Sequence, residues 1–275
     1  RGPEQLVSVD IVRRMVDSGS ARAIMGNHEF NAIAWYLEDP ANPGEHLRPH
    51  FSEKYGEKNY RQHEAFLSEI GENDELHGEI IEWFLSLPLW LDLPDLRIVH
   101  ACWHRPYMEY LREVLRDGTL LDGQLMVLAS REPEDESEKD NAQPTVFKAV
   151  EAIVKGIEIP LPTGHTFDDK DGIQRRRVRV RWWDPEAQTF RKAALPGAGL
   201  TASQLPGSAI PDHAVLNVDD DRPVLFGHYW FEGKPEVLPG NAMCVDYSIA
   251  KGGRLAAYRW EGEPVLRNEN VVWVE

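Results

Sequence analysis

Apolar residues recur at helical spacing in Leu6, Val9, Val12 and Val16, with Pro3 suited to a first turn and Gly19 to a stop, so a helix is predicted over residues 4–18. The short apolar run 21–25 reads as a buried strand that empties into Gly26-Asn27-His28-Glu29. Phe30, Ile33, Ala34 and Leu37 then carry a second helix beginning near Glu29. Two amphipathic helices are expected within 58–86, marked by Phe66, Leu67 and Ile70 and then by Leu76, Ile80, Ile81, Phe84 and Leu85. Strands follow at 87–91 and 96–99, the second running into His100-Ala101-Cys102-Trp103.

Beyond residue 104 the pattern changes. Helical periodicity near 107–130 and 144–155 flanks an acidic run over 132–140, which reads as a solvated loop, and Gly/Pro-rich loops then surround a strand. The chain closes with strands at 223–227, 242–248, 254–260 and 270–274 joined by Gly- and Asn-containing turns, which implies a second, partly antiparallel sheet. The expected organisation is a core in two parts, 1–103 and 216–275, the latter holding the second sheet, interrupted by an insertion or cap over 104–215.

With 275 residues and 42% hydrophobic composition the chain can bury a substantial core. No apolar run approaches the roughly 18 residues that span a bilayer, and no basic-then-apolar segment opens the chain, so a cytoplasmic protein without a membrane partner is expected. Cys102 and Cys244 stand far apart with no Cys-x-x-Cys pair and read as two reduced thiols. The formal charge of -16 repels polyanions and argues against stable nucleic-acid binding, so an anionic substrate needs local positive charge.

Three segments share one form, an apolar strand followed at once by a metal-capable side chain. They are Ile24-Met25-Gly26-Asn27-His28, Ile98-Val99-His100 and Leu225-Phe226-Gly227-His228. Ligands of open α/β sheets sit at the carboxyl ends of strands, so the three together favour one shared site. His104 has no Asp or Glu at ligand spacing and reads as a loop residue.

In chain order, Gly26-Asn27-His28-Glu29, Val99-His100-Ala101 and Gly227-His228 resemble the three downstream signatures of the calcineurin-like metallophosphoesterases. Arg1-Gly2-Pro3 is similar to the tail of their upstream Gly-Asp-x-x-Asp-Arg-Gly signature. Asp246-Tyr247 with Gly252-Gly253-Arg254-Leu255 resembles the end of the bacterial branch related to phosphoprotein phosphatases and diadenosine tetraphosphate hydrolases. The resemblance implies a four-layer α/β/β/α sandwich of two mixed sheets, here lacking its first β-α-β segment and carrying an α+β insertion. It implies hydrolysis of a phosphomonoester or phosphoanhydride by hydroxide activated between two divalent ions. By position, Asn27, His100 and His228 then hold the second ion, His28 is the general acid and Arg1 grips phosphate oxygens.

An amide oxygen with two imidazoles suits manganese, or iron, zinc, cobalt or nickel, better than calcium. The family's first-metal ligands, an Asp-x-His pair and a bridging aspartate, would precede Arg1, as would the aspartate that orients His28. The expectation is therefore one half-site here and an active, longer gene product. Phosphoserine or phosphothreonine peptides, dinucleoside polyphosphates and other small phosphorylated molecules are the expected substrates, with a non-catalytic phosphate-binding or scaffold module as the alternative.

Arg175, Arg177, Arg179 and Arg181 alternate along a strand, which gives either a steering strip for phosphorylated substrates or a solvated face paired with carboxylates. Arg131 lies between a helix and the acidic run, and the resemblance makes it a second candidate phosphate grip. Trp182-Trp183 and Tyr229-Trp230-Phe231 offer surfaces for a nucleobase or, equally, packing for the sheet.

Overall fold

The structure, a computed structural model, describes residues 2–168, 172–197, 199–216 and 222–275. Arg1 lies outside the described residues. The fold is mixed α/β. Four helices come first: α1 (Gln5–Asp17), α2 (Asn27–Tyr36), α3 (Gly56–Ile70) and α4 (Asp74–Leu85). Strands β1 (Trp90–Asp92) and β2 (Arg97–Val99) lead to helices α5 (Arg105–Val114), α6 (Gly123–Ser130) and α7 (Val146–Lys155). Short strands β3 (Glu158–Pro160), β4 (Phe167–Asp168), β5 (Gln174–Arg175) and β6 (Arg177–Val180) follow, then helix α8 (Phe190–Ala193) and β7 (Ala194–Leu195). The chain closes with β8 (Val224–Phe226), β9 (Ala242–Cys244), β10 (Asp246–Tyr247), β11 (Arg254–Tyr258) and β12 (Val271–Val274).

Helix ends find partners where the sequence offers oxygen. The first amides of α1, those of Gln5 and Leu6, donate to the two carboxylate oxygens of Glu69 at 2.9 Å each, which docks α1 on α3. Asn73 caps α4 through Leu76 N at 3.0 Å. Residues 21–25 differ from expectation, since they form no strand. Met25 N donates to Pro88 O at 2.8 Å, but Pro88 has no N–H to return and Ala21 N bonds to Met15 O instead, so no ladder closes.

Among the described residues the main sheet runs β1-β2-β8-β9. β1 is antiparallel to β2, whereas β2, β8 and β9 are mutually parallel neighbours. Strands β10, β11 and β12 form a separate antiparallel sheet. The expected 242–248 strand is therefore divided at Val245, whose N–H returns to Phe226 O at 2.7 Å, and the first two closing strands belong to the main sheet rather than to a second one. β3, β6 and β7 make a small antiparallel sheet, and β4 pairs with β5.

Residues of all three sequence segments share one apolar core. Met25, Ile33, Ile81 and Trp90 meet Met108, Leu111, Met126 and Ile153, and these meet Val178, Trp182, Val224 and Phe226. No helix among the described residues is long and apolar enough to cross a membrane.

Two buried histidines pack this framework. His63 lies beside Trp35 with ring centroids 5.5 Å apart and is pushed down to about 4 by burial and then by Arg48, His50 and His77. His104, expected in a loop, is the N-cap of α5. Its Nδ1 accepts from Tyr107 N at 3.3 Å, its Nε2–H donates to His213 O at 3.2 Å, and burial likewise takes it to about 4. Folded pKa values below the unfolded value mean that stability is fully present above pH 6.5 and is lost as pH falls toward 4, where only the unfolded chain has taken up the proton. Unfolding free energies from denaturant titrations at pH 7.5 and pH 5 are expected to differ by about 1–2 kcal/mol per ring, and equal values would contradict neutral burial.

Candidate metal centre

Parallel pairing delivers two of the candidate ligands to one sheet edge. Arg97 stands opposite Val224 and Ile98 opposite Leu225, so the chain leaves β2 at His100 beside the point where it leaves β8 at Gly227-His228. The ladder continues past the last paired strand residues, because Gly227 N donates to His100 O at 2.9 Å. His100 is fixed from its other neighbour too. Ala101 N donates at 2.9 Å to Ile153 O, one of the unpaired last carbonyls of α7, and the indole N–H of Trp182 donates to Ala101 O at 2.8 Å.

Asn27 opens α2 and turns its amide oxygen to both rings. Asn27 Oδ1 lies 2.9 Å from His100 Nε2 and 3.2 Å from His228 Nδ1, and the two imidazoles stand at 66° with centroids 5.3 Å apart. Two donor atoms each about 2.1 Å from one ion and at right angles to each other are about 3.0 Å apart, so these contacts have the spacing of neighbours in a coordination sphere. The fit extends to protonation. Burial takes His100 down to about 4, and burial followed by the charges of Arg179, His100, His28 and Lys155 takes His228 well below its ordinary value. Both rings are therefore neutral at pH 7, as metal ligation requires. His228 Nε2 is buried with no hydrogen-bond partner.

Gly26 and Glu29 hold Asn27 in place. Glu29 Oε2 accepts from Gly26 N at 3.0 Å and closes the first turn of α2, although burial raises the carboxyl above its usual range. A Cβ at residue 26 would fall 2.7 Å from Glu29 Oε2 and 2.8 Å from two atoms of the His100 ring, so only glycine lets loop and imidazole approach this closely. Gly227 is under no such constraint, its nearest contact being 3.6 Å from Asp246.

A cleft of about 170 Å³ opens on the cluster, lined by Asn27, His28, His100, His228, Trp230 and Asp246 together with residues 248–250. His28 also borders a larger cleft of about 880 Å³ rimmed by Lys54, Lys58, Arg61 and Lys251. Asp246 was not singled out as a site residue from sequence. The signal was available, since Ala242-Met243-Cys244-Val245-Asp246 repeats the pattern of an apolar strand ending in a polar side chain. His228, Trp230 and Ser248 have φ of 75°, 54° and 60°, left-handed values that cost a non-glycine residue about 1–2 kcal/mol.

Other candidates sit elsewhere. The four-arginine row is not one strand face. Only Arg177 and Arg179 share the partly exposed side of β6, with Val178 and Val180 buried opposite, while Arg175 lies on β5 and Arg181 beyond the end of β6. Arg177 forks onto Asp140 at 2.6 and 3.1 Å, and Arg179 Nε donates to Lys155 O at 2.9 Å beside Glu158 at 3.5 Å. These two guanidiniums are paired, and neither lines either cleft, so the structure favours the paired face over a steering strip. Arg131 is exposed at the end of α6, outside both linings. Trp182 and Trp183 are core residues, 2% and 3% exposed, which leaves Trp230 as the aromatic wall of the small cleft. Cys102 and Cys244 are buried thiols, both pushed up by burial, Cys244 to about 12.

Among the described residues, no group of three or more His, Cys, Asp or Glu side chains is placed to hold a metal ion, and the cluster described above brings two histidines to one amide oxygen. The chain matches no protein-family model and no curated protein.

Gly26→Ala is expected to destabilise the fold by about 1–3 kcal/mol through overpacking and to shift the imidazole ¹⁵N resonances of His100. Native stability with an unmoved His100 spectrum would show that the loop and the ring are not in tight contact.

Proposed function

We propose that this chain is a metal-dependent phosphoesterase of the calcineurin-like type, hydrolysing a phosphomonoester or a phosphoanhydride. The observation that carries the proposal is the convergence of Asn27 Oδ1, His100 Nε2 and His228 Nδ1 from segments far apart in sequence. The sandwich architecture is part of the same reading. It is supported by the parallel β2-β8-β9 edge and by the separate antiparallel sheet that follows it.

In this reading Asn27, His100 and His228 hold one divalent ion, manganese first among the borderline metals, and the reaction uses two. A bound ion of this kind supplies Lewis acidity toward a phosphoryl oxygen and brings the pKa of water toward about 7. The chain's own part is orientation and proton transfer. Each neutral ring keeps one lone pair at physiological pH, and ligation through His100 Nε2 and His228 Nδ1 uses the tautomers that carry the proton on the other ring nitrogen. His28, adjacent to Asn27 and lining both clefts, is the proton donor to the departing oxygen. Arg1 remains the proposed phosphate grip from sequence. Lys54, Lys58 and Lys251 at the rim of the larger cleft, where Arg61 is paired with Glu57 at 2.7 Å, give a chain of net charge -16 a local attraction for an anionic substrate.

Calorimetric titration with manganese is expected to show one ion bound by this chain, with Asn27→Ala, His100→Ala and His228→Ala each weakening it at least about 10-fold. Manganese is expected to support hydrolysis of p-nitrophenyl phosphate, a phosphopeptide or diadenosine tetraphosphate by the protein. His28→Gln should lower kcat by about 10²- to 10⁴-fold while leaving metal affinity within a few-fold. Metal binding without turnover of any phosphate ester would instead identify a binding module.

A further inference from the structure

The third parallel strand of the main sheet, β9, brings Asp246 to the edge where β2 and β8 deliver His100 and His228. Its carboxylate is engaged by main chain on both oxygens. Oδ2 accepts from Trp230 N at 3.3 Å and Oδ1 accepts from Ser248 N at 3.1 Å. Both amides belong to residues in the left-handed region, and His228, two positions before Trp230, is left-handed as well. The backbone of Asp246 adds to the clamp, its carbonyl accepting from Phe231 N at 2.9 Å, and Ser248 Oγ donates to Phe231 O at 3.3 Å. Strained conformations of this kind persist only where surrounding bonds over-determine them. Here the bonds that do so converge on one residue.

We propose that Asp246 is a positioning residue for the metal cluster, its carboxylate holding the loop 228–231 in the conformation that turns His228 Nδ1 toward Asn27. The role lies in the loop because the carboxylate's observed partners are the backbone amides of Trp230 and Ser248. A side chain that orients a ligand in this way commonly changes metal affinity about 10- to 100-fold when removed. The same clamp sets Trp230 as the wall of the small cleft, with Lys251 Nζ 4.9 Å from its ring centroid. Asp246 therefore fixes both a ligand and the surface beside it. The inference rests on the metal reading above for its consequence, but its geometry can be read without metal.

The test uses Asp246→Ala, which removes both acceptors, and Asp246→Asn, which keeps the shape and one acceptor oxygen. In the metal-free chain, amide hydrogen exchange at Trp230 and Ser248 is expected to accelerate at least about 10-fold in Asp246→Ala, and the imidazole ¹⁵N resonances of His228 are expected to move. Calorimetric titration with manganese should show affinity about 10- to 100-fold weaker in Asp246→Ala, with Asp246→Asn in between. Unchanged exchange and an unmoved His228 spectrum would overturn the positioning role. Faster exchange with native manganese affinity would overturn its link to the ligand. If the native chain binds no manganese, the metal reading fails, while the exchange and ¹⁵N data on the metal-free variants still decide whether Asp246 positions His228. Should Asp246→Ala fail to fold, Asp246→Asn decides by the same measurements, a partial loss supporting the proposal and native behaviour overturning it.

Discussion

Parallel pairing of β2 with β8 is the constraint on which the site depends. Side chains that follow two adjacent parallel strands emerge at one edge of a sheet, whereas antiparallel neighbours would send them to opposite edges. The pairing of Ile98 with Leu225 and the bond from Gly227 N to His100 O therefore set how close His100 and His228 can come, before any side chain contributes. A parallel pair needs a long crossover. The intervening chain supplies it and also buttresses the site, since the end of α7 and the indole of Trp182 pin Ala101 from that segment.

Desolvation completes what topology begins. The rings of His100 and His228 share one amide oxygen in surroundings that disfavour their protonated forms, so the cluster is neutral over the whole physiological range. Neutral imidazoles clustered on an amide oxygen present donor atoms to a cation once each N–H shifts to the other ring nitrogen. A buried polar cluster of this kind requires rigid support. Support comes from Glu29 across the first turn of α2, from the missing Cβ of Gly26, and from Asp246 beneath the loop after β8.

Much of this was legible in the sequence because its signals are local. Helical spacing located α1 through α4 to within about two residues, as is usual for boundaries. The pattern of an apolar strand ending in Asn or His marked the three residues that converge. What was not legible depends on partners distant in sequence. Residues 21–25 have the composition of a strand, yet the segment beside them presents Pro88, and no ladder forms. Alternation suggested four arginines on one strand, but β6 extends only from Arg177 to Val180 and its carboxylate partners come from Asp140 and Glu158. The division of the 242–248 run at Val245 likewise follows from a cross-strand bond to Phe226 that composition does not encode.

The central claim is that Asn27, His100 and His228 hold a single ion. Anomalous-difference density from a crystal soaked in manganese tests it most directly. One peak within bonding distance of Asn27 Oδ1, His100 Nε2 and His228 Nδ1 is the expected result. Density absent from that position while manganese binds elsewhere, or contacts that leave out two of the three side chains, would contradict it.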